Sequence, residues 1–458
     1  MTDIYEIRSG LSKPAAAFGS GYPFLTFKEV FNNFFLPDNL TQLVQSTDSE
    51  RALGEIRRGD VFLTRTSETL NELGMSSVAL KDYPNSTFNG FTKRLRPRAD
   101  SPFTVHPEFI GYCLRSQSFR RGVLALTSLS TRASLNNEMI GRLQVVLPPP
   151  EIQKSIAKTL KCLDDKIVVN RRINQTLEAM AQAIFTSWFV DFDPVKAKIA
   201  AIAEGRDPLR AAMSSISGKP DAELDALPPE HYEQLATTAA IFPEGMEESE
   251  WGEIPQGWAC GALGDVCSFT AGSAFKPEHQ GSSDGDYPFI KVSDMNLAGN
   301  EVFIQSANNY VSKGQQSEMK AKLHPPGATV FAKIGVALTS NRRRLLTTPT
   351  IIDNNLMSAN PVDENSGRYF LYSMLNMIDF NTLVSGTALP YINVSDLKKI
   401  PIVRPMHEVV LAFETKVSST FTMMQTLAAQ SSTLAKTRNI LLPKLISGEV
   451  EVSGIQGS

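Results

Sequence analysis

The chain has 458 residues, of which 42% are hydrophobic and 20% charged, and its formal net charge is −3; this composition is ordinary for a globular protein of about three domains. No apolar run approaches the roughly 18 residues that cross a bilayer, and the start MTDIYEIRSG has no signal-peptide pattern. The four cysteines form no Cys-x-x-Cys pair and have no histidines nearby, so we expect a cytoplasmic protein without disulfide scaffold, metal site or membrane association.

Residues 1–150 form a first module that mixes strand and loop patterns. Gly21–Val30 (GYPFLTFKEV) and the run GDVFLTRT from Gly59 alternate apolar with polar residues, which predicts strands with one wet face. Leu143–Pro150 (LQVVLPPP) predicts a short buried strand that ends at the prolines, because proline has no N–H to donate into a sheet.

Residues 151–190 carry apolar side chains every three or four positions from Ile152 onward, with no internal Gly or Pro. This pattern predicts a helix of about 37 residues ending near Trp188, roughly 55 Å long. A long helix with a narrow apolar seam usually packs on another helix. Asn170 lies on the seam, where it either fixes the register of a helix pair or sits at the wet edge.

Residues 191–250 form an acidic connecting segment with 5 Lys+Arg against 13 Asp+Glu. The segment is rich in alanine, is punctuated by proline and glycine, and holds short helical pieces such as Asp221–Leu227. We predict a mobile or loosely packed connection.

Residues 251–404 form a second module that repeats the pattern of the first. Asp286–Met295 (DYPFIKVSDM) and GATVFAKIG from Gly327 predict strands in the corresponding places. Ile400–Pro405 (IPIVRP) predicts a short buried strand closed by proline.

Residues 405–442 predict a second long helix, with apolar side chains stepping from Val409 to Leu441. The helix should stop or kink just before Pro443, because proline breaks the helical hydrogen-bond ladder. Residues 443–458 form a C-terminal tail.

The two modules are copies of one unit. Ser128–Leu160 aligns without a gap on Ser385–Val417 at a constant offset of 257, so that Leu143 falls on Ile400. A period this long indicates a duplicated module of roughly 200 residues and not a solenoid repeat. We predict an α+β fold in which two similar α/β modules are separated by two long antiparallel, coiled-coil-like helices related by a pseudo-two-fold axis.

The sequence lacks familiar catalytic motifs. It contains no Gly-x-x-x-x-Gly-Lys-Ser/Thr phosphate loop, no Gly-x-Ser-x-Gly elbow, no His-Glu-x-x-His helix and only five histidines. The Asn/Asp-Pro-Pro-Tyr/Phe tetrapeptide of amino-methyltransferases is missing too. We therefore expect a chain that is not an enzyme and has no catalytic residues.

Four strings carry a family resemblance, and they occur in the family's order on the duplicated frame: SWFVDFDPVKAK (Ser187–Lys198), ESEWGEIPQGW (Glu248–Trp258), SGTALPYINVSDLKKIPIVRP (Ser385–Pro405) and LLPKLISGEVEV (Leu441–Val452). Over its whole length the chain resembles the DNA-specificity subunit of Type I restriction–modification systems. The resemblance implies that residues 1–150 and 251–404 are target-recognition domains, each reading one half of a split DNA site. It further implies that the paired helices set the gap between the half-sites.

The resemblance also implies partners: double-stranded DNA, two adenine-methylating modification subunits and, where the host has them, two restriction subunits. S-adenosylmethionine, ATP and Mg are then expected on these partners and no cofactor on this chain. The first module departs from the family pattern, because it lacks the Trp-centred opening seen at Trp251–Trp258. Its segment Ser128–Asn137 also shares little identity with the counterpart in the second module.

Basic and polar residues on predicted loops and strand ends are the candidates for DNA contact, because Lys and Arg bind phosphate and Arg also grips guanine. The predicted DNA-binding residues are Arg65, Lys93, Arg94, Arg96, Arg98, Arg132, Lys333, Arg342, Arg343, Arg344, Thr387 and Tyr391. Seam residues of the helices are predicted to bind partners: Ile156, Leu163, Ile167, Phe413, Phe421 and Met424. The alternative for the charge runs is solvated surface, and for the Phe/Met stripe of the second helix it is packing against a helix or the core.

Two other functions remain open from the sequence alone. One is a duplicated protein-binding scaffold without DNA specificity. The other is an enzyme with an unfamiliar active site.

Overall fold

The computed structural model describes residues 1–66, 72–127, 134–362, 367–386 and 390–450. The chain divides into two compact units: the first unit is Met1–Ile167 with Thr433–Ser458, and the second unit is Val168–Ser432. The long helices predicted at 151–190 and 405–442 each contribute residues to both units. None of the helices that the structure describes is long and apolar enough to span a membrane.

The described elements of the first module are β1 (Tyr5–Ser9), β2 (Phe18–Leu25), α1 (Phe27–Asn32), β3 (Leu43–Val44), α2 (Asp48–Gly54), β4 (Val61–Thr64), β5 (Ser76–Val78), β6 (Thr87–Phe88), β7 (Thr92–Pro97), α3 (Pro107–Cys113), α4 (Gln117–Thr127) and α5 (Asn137–Arg142). They are followed by the first long helix, α6 (Pro150–Phe189). The strands form two sheets, ordered β1-β7-β4-β5 and β3-β2-β6.

The chain continues with α7 (Asp193–Ala203), α8 (Pro208–Ser217), α9 (Asp221–Leu224), α10 (Pro229–Ala240), β8 (Met246–Ser249), β9 (Gly252–Pro255), β10 (Ala259–Ala262), α11 (Leu263–Val266), β11 (Cys267–Ala271), β12 (Tyr287–Ile290), β13 (Phe303–Ile304), β14 (Tyr310–Val311), α12 (Lys313–Met319), β15 (Thr329–Ala332), α13 (Val336–Thr339), β16 (Arg343–Leu346), β17 (Ile351–Ile352), β18 (Leu356–Pro361), α14 (Arg368–Met377), α15 (Val394–Lys398) and β19 (Pro401–Arg404), all in the second unit, and with α16 (His407–Ser447), which passes from the second unit into the first. The sheets of the second unit are ordered β11-β18-β15-β16-β13, β14-β12-β17, β10-β19 and β8-β9.

The two modules share one sheet topology, which confirms the predicted duplication. The order β1-β7-β4-β5 corresponds to β11-β18-β15-β16, and β3-β2-β6 corresponds to β14-β12-β17. Each small sheet contains one parallel pair: Phe24 pairs with Thr87 in the first module, and Phe289 with Ile351 in the second. The fold class predicted from the sequence is therefore confirmed in both halves.

The predicted strand at Gly21–Val30 is too long, because a helix begins inside it. The Thr26 hydroxyl accepts from the Glu29 N–H while the Glu29 carboxylate accepts from the Thr26 N–H, a capping box that starts α1. The strand therefore ends at Leu25. In the same way Asp286–Met295 forms a strand only as far as Ile290 and then a 3-10 turn.

The predicted closing strand forms in one module and not in the other. Pro401–Arg404 is strand β19, paired antiparallel with β10. Leu143–Pro149 contains no strand, and Val146 is 62% exposed. The prediction is confirmed for the second module and wrong for the first.

The two long helices pack antiparallel within each unit. In the second unit the Asn170 amide donates to Gln430 Oε1 at 2.8 Å, and Asn174 donates to the Met424 carbonyl at 3.0 Å. In the first unit Arg438 donates to Asp164 Oδ1 at 2.6 Å. As residue numbers rise along α6, the residues that it contacts on α16 have falling numbers, so the two helices run antiparallel, as predicted. Asn170 is fully buried, which excludes the wet-edge interpretation and favours a role in register.

Helix α16 runs through Pro443 to Ser447, so the expected stop before the proline is wrong. Pro443 itself is exposed, whereas Leu442 and Leu445 on either side are buried in the core of the first unit. Burial of these two leucines outweighs the one backbone hydrogen bond that proline removes.

The prediction of a loosely packed connection at 191–250 is also wrong. Helices α7–α9 bury Val195, Met213 and Leu224 in the main core of the second unit, and Phe242, just after α10, is buried there too. The Lys198 ammonium is buried too and donates to the Phe242 carbonyl at 2.6 Å. The acidic residues of this segment are all exposed, so their number does not prevent a packed core.

Two of the four strings that carry the family resemblance, Ser187–Lys198 and Glu248–Trp258, meet in one aromatic cluster. Trp188, Phe189 and Phe192 from the end of α6 surround Trp258 from the opening of the second module, with ring centroids of Phe189 and Trp258 5.9 Å apart. Phe413 of α16 closes the cluster, 5.4 Å from Phe189. These strings are therefore structural, and they join the helix pair to the second module.

Candidate nucleic-acid interface

Most of the basic group at Lys93–Arg98 lies on β7, inside the larger sheet of the first module. Arg94 is 5% exposed and donates to the carbonyls of Leu53 and Glu55, and burial lowers its pKa to about 10. Lys93 is buried as well and donates to Ser9 Oγ at 2.8 Å. The charged ends of Arg94 and Lys93 are thus already bound within the module, and their contact with DNA stays a prediction.

Arg96 lies on the same strand, β7, and Arg98 lies just beyond its end. Arg96 forms two hydrogen bonds to the buried carboxylate of Asp60, at 2.8 and 2.6 Å, so its guanidinium is also committed. Arg98 is exposed and pairs with exposed Asp100 at 2.8 Å. An exposed ion pair contributes little to stability, so among these four residues Arg98 is the one that can exchange its partner for a phosphate.

The triplet Arg342–Arg344 also contains both buried and exposed side chains. Arg343 is 2% exposed, donates to the carbonyls of Asn341 and Ile378, and lies 3.9 Å from the centre of the Phe380 ring; burial lowers its pKa to about 10. Arg344 donates to the Met295 and Arg343 carbonyls, and burial lowers its pKa as well. Arg342 is exposed. Arg343 points inward because side chains alternate along a strand, and its contact with DNA stays a prediction.

Arg65 and Lys333 occupy equivalent places in the two modules. Each follows the central strand of its larger sheet, β4 or β15. The Arg65 carbonyl accepts from Leu135 N–H at 2.7 Å, and the Lys333 carbonyl accepts from Ile392 N–H at 3.0 Å. Leu135 and Ile392 are themselves related by the offset of 257, so the duplication extends to individual backbone hydrogen bonds.

The next residues complete this arrangement, which we call the strand-end junction. Thr66 pairs with Ser134 in the first module, and Ile334 pairs with Tyr391 in the second. Arg65, Thr66 and Ser134 thus define one junction, and Lys333, Ile334 and Tyr391 define the other. Arg132 and Thr387, also predicted to bind DNA, lie in sequence beside the junctions but outside the described residues.

Some side-chain groups at the junctions are exposed or lack a hydrogen-bond partner among the described residues. Arg65 is half-buried, and its Nε has no hydrogen-bond partner among the residues that the structure describes. Tyr391 is 41% exposed. The amide of Gly335, in a left-handed conformation with φ of 82°, donates to the Pro390 carbonyl at 2.7 Å and fixes the turn that follows Lys333. Polar groups held on a rigid sheet end are suited to contact a ligand.

Sequence reasoning missed Val336, which is 82% exposed at the start of α13. It lies three residues after Lys333, beyond the left-handed Gly335. An exposed apolar side chain beside polar groups can contact a thymine methyl group. The glycine after Lys333-Ile334 was the available signal, because glycine marks a sharp turn that displays its neighbours.

The predicted partner-binding residues are inside the chain. Ile156, Ile167, Phe413, Phe421 and Met424 are all buried, and Leu163 is half-buried. The five buried residues pack within the chain's own cores, and their contact with a partner stays a prediction. In a pair of long helices, the apolar side chains along the seam face the other helix and are covered by it.

Other apolar side chains on the same helices are exposed, and they were not predicted. They are Ile152, Val168, Val169, Met180, Leu411, Met423 and Ile440, each at least 42% exposed. In the second unit Leu411 also lines a groove of about 1070 Å³ between α10 and the start of α16, together with Leu235 and Ile241. Exposed apolar side chains of this kind are what a docked protein covers.

The sequence matches decide the family. The model of the Type I restriction modification DNA specificity domain matches residues 1–179 and 255–409. The chain belongs to this family. Each match contains one module with its strand-end junction, so the chain is a specificity subunit with two DNA-specificity domains.

Two relatives extend over nearly the whole chain. The specificity subunit of the Type I restriction enzyme HindI from Haemophilus influenzae is 31% identical over 453 residues, covering 94% of this chain and 95% of the relative. The MjaIX specificity subunit from Methanocaldococcus jannaschii is 24% identical over 458 residues, covering 98% and 92%. Among solved structures, the S subunit of a Type I system from M. genitalium covers 96% of this chain and 93% of its own, at 12% identity and a TM-score of 0.42.

Membership of this family also decides between the open functions. Specificity subunits recognise DNA and are non-catalytic, so the role of this chain is recognition and not turnover. The rival of an enzyme with an unfamiliar active site is thereby set aside. Among the described residues, no group of three or more His, Cys, Asp or Glu is arranged to hold a metal ion.

Proposed function

We propose that this specificity subunit reads a bipartite double-stranded DNA site, one half-site with each module, and docks two modification subunits. Two restriction subunits join through these where the host has them. The observation that supports the proposal is the duplicated strand-end junction: its backbone hydrogen bonds are the same in both modules, while its side chains differ. One frame with two sets of side chains suits two related but different DNA targets.

The side chains of the two junctions favour different bases. A guanidinium such as that of Arg65 binds the O6 and N7 of guanine through two hydrogen bonds, and each such pair discriminates by about 1–3 kcal/mol. The ammonium of Lys333 and the hydroxyl of Tyr391 offer single donors or acceptors. We therefore expect the first half-site to depend on Arg65 and the second on Lys333 and Tyr391.

For the partners, we propose that the exposed apolar side chains of α6 and α16 contact the modification subunits. Within the second unit the groove beside Leu411 adds a concave apolar surface. In this proposal S-adenosylmethionine, ATP and Mg²⁺ act on the partner subunits, and this chain supplies orientation and DNA sequence choice.

The test is a map of methylated adenines in cells that express this chain with its modification subunit. Arg65→Gln and Lys333→Gln each remove one junction cation and keep a polar side chain. We expect Arg65→Gln to relax or change one half-site and Lys333→Gln to change the other, with the gap between them unaltered. Lys161→Gln is the matched control, because Lys161 is exposed on α6, pairs with Asp165 and belongs to neither junction.

The proposal fails if either junction variant alters both half-sites equally, or if both variants methylate the wild-type site unchanged. A complex that binds unrelated DNA as tightly as its methylated sites favours the remaining alternative, a duplicated protein-binding scaffold without DNA specificity.

A further inference from the structure

In each module, one residue binds the main-chain N–H of the junction cation. The Arg65 N–H donates to the Phe91 carbonyl at 2.9 Å, and the Lys333 N–H donates to the Asn355 carbonyl at 2.9 Å. Because Arg65 and Lys333 occupy equivalent places, Phe91 and Asn355 are equivalent as well. Neither of these two residues was predicted to bind DNA, although each lies directly beside a residue that was.

Phe91 is the third residue of a tight turn formed by residues 89–92. The turn is closed by the Thr92 N–H, which donates to the Asn89 carbonyl at 3.0 Å. The side chain of Asn89 accepts from the Phe91 N–H at 2.7 Å, so the turn is also an Asx turn. Asn89 is tied to the small sheet, since its N–H donates to the Leu25 carbonyl at 3.0 Å. Local hydrogen bonds therefore fix the main chain that carries the Phe91 side chain.

The second module repeats this turn at residues 353–356. The Leu356 N–H donates to the Asp353 carbonyl at 3.0 Å, and the Asp353 side chain accepts from the Asn355 N–H at 2.9 Å. The Asp353 N–H donates to the Ile290 carbonyl at 3.0 Å, which is the counterpart of the bond between the first turn and the small sheet of its module. We call these two segments the display turns.

Each display turn packs against a glycine of a neighbouring segment. A Cβ on Gly10 would overlap the Asn89 carbonyl, and a Cβ on Gly272 would overlap the Asp353 carbonyl. Only glycine allows two main chains to approach so closely. The display turns are therefore held by the same main-chain contacts in both modules, although the residues that they carry differ.

The side chains at the third position of the display turns are exposed and have different chemistry. Phe91 is 59% exposed, although phenylalanine is usually buried. Asn355 is also exposed. Its amide donates to Asp353 Oδ2 at 3.5 Å, which is long for a hydrogen bond, so the amide can exchange this partner for a ligand. One display turn thus offers an apolar ring beside Arg65, and the other offers an amide beside Lys333.

The major-groove edges of the bases contain a partner for each of these groups. The thymine 5-methyl group is the apolar feature of that edge, whereas an asparagine amide forms two hydrogen bonds with N6 and N7 of adenine. We propose, on the basis of the proposed function, that Phe91 and Asn355 determine specificity. Phe91 contacts a thymine methyl group in the half-site that Arg65 reads. Asn355 binds an adenine in the half-site that Lys333 reads.

The first arm of the test uses the complex of this chain with its modification subunit and a labelled duplex that carries the mapped methylation site. In the half-site that Arg65→Gln alters, each thymine is replaced in turn by uracil, which lacks the 5-methyl group. At one position the wild-type complex should lose about fourfold in affinity, the effect of one methyl group. Phe91→Ala should bind both duplexes equally. Phe103→Ala is the matched control and should keep that loss, because Phe103 is 51% exposed in the same module and belongs to neither display turn.

The second arm of the test concerns Asn355. In the half-site that Lys333→Gln alters, each unmethylated adenine is replaced in turn by 7-deazaadenine, which lacks the N7 acceptor. The wild-type complex should lose about tenfold in affinity at one position, because a donor of the amide is left without its partner. Asn355→Ala should show no such loss. Asn308→Ala removes another exposed amide of the second module and should behave as the wild type does.

Either variant of the display turns that keeps the wild-type sensitivity to its base analogue overturns the inference. If Arg65→Gln and Lys333→Gln still alter their half-sites in that case, the proposed function stands. A wild-type complex that methylates no bipartite site overturns both. A Phe91→Ala variant that weakens binding to all sequences equally also overturns the inference, because Phe91 then acts as a wedge between base steps.

Discussion

Each DNA-specificity domain is tied to α6 by a buried tyrosine, and the tie in the second unit allows a quantitative prediction. Tyr372 on α14 is 2% exposed, and its hydroxyl donates to Glu178 Oε1 at 2.6 Å. In the first unit Tyr112 on α3 donates to Asp164 Oδ2 at 2.7 Å. The two ties differ in a hydrogen bond to the carboxylate: Asp164 also accepts from Arg438 at 2.6 Å.

Tyr372→Phe removes the hydroxyl and leaves a largely buried carboxylate without this donor. The loss should cost about 1–3 kcal/mol, or about 4–8 °C in melting temperature for a cost of about 2 kcal/mol in a unit of this size. Tyr112→Phe is the matched control, because Arg438 continues to bind Asp164. Its cost should lie nearer to about 0.5–1.5 kcal/mol, the usual net contribution of one hydrogen bond.

The cost of Tyr372→Phe should also depend on pH. Burial raises the pKa of Glu178, while the hydrogen bond from Tyr372 lowers it. A carboxyl whose pKa is raised on folding favours the folded state most at low pH, and this contribution is lost as pH rises from the unfolded value through the folded one. Removing the hydroxyl raises the pKa of Glu178 further, so the variant loses more stability than wild type on going from pH 5 to pH 8.

Calorimetric unfolding of both variants at pH 5 and pH 8, with hydrogen exchange of α14 to identify the unit, measures these effects. A deficit of Tyr372→Phe that is the same at both pH values refutes the reasoning about Glu178. A Tyr112→Phe variant as costly as Tyr372→Phe refutes the argument that Arg438 compensates in the first unit.

Three further changes test the helices and the second core. Asn170→Leu replaces a buried amide by an apolar seam residue, and calorimetry should show melting raised by about 2–4 °C. In this variant, cross-linking of engineered cysteine pairs along α6 and α16 should report a less uniform register. Pro443→Ala restores one helical hydrogen bond and should raise the unfolding free energy of the first unit by about 1–3 kcal/mol in urea titration. Burial lowers the pKa of His324 to about 4, so the folded chain binds fewer protons than the unfolded chain below pH 6.5, and stability should fall as pH drops toward 4, by up to about 3 kcal/mol. His324→Gln should flatten that pH dependence in the same titration.

The sequence predicted those parts of the fold that rest on periodicity and repetition. The constant offset of 257 and the apolar seam were sufficient for the duplicated modules and the antiparallel helices, because both leave a pattern in residue order. The capping box at Thr26 and Glu29 was also readable, and it would have ended the first strand at Leu25. Short helical pieces at 191–250 were predicted, but their packing was not, because their apolar positions are few and separated by alanine.

The candidate site was harder to predict, because a row of basic residues does not indicate which side chains point inward. Arg94 and Arg343 have the same sequence context as exposed arginines, yet each is held by main-chain carbonyls inside its module. Whether an arginine guanidinium is free to bind DNA depends on whether it donates to main-chain carbonyls far away in sequence. For Arg94 such a carbonyl is that of Glu55, and for Arg343 it is that of Ile378. Arg65 and Lys333 were identifiable for the opposite reason, since their equivalence follows from the repeat itself.

In the proposed function, the strand-end junction is the feature that lets one frame serve two DNA sequences. Its contacts join the Arg65 carbonyl to Leu135 and the Lys333 carbonyl to Ile392 through main-chain atoms only. Such hydrogen bonds do not depend on the side chain that the residue carries. Substitution at these positions therefore changes the groups offered to a base without loosening the sheet beneath them. A specificity domain built in this way can diverge at its junction while its neighbours, the long helices and their partners, keep the same geometry.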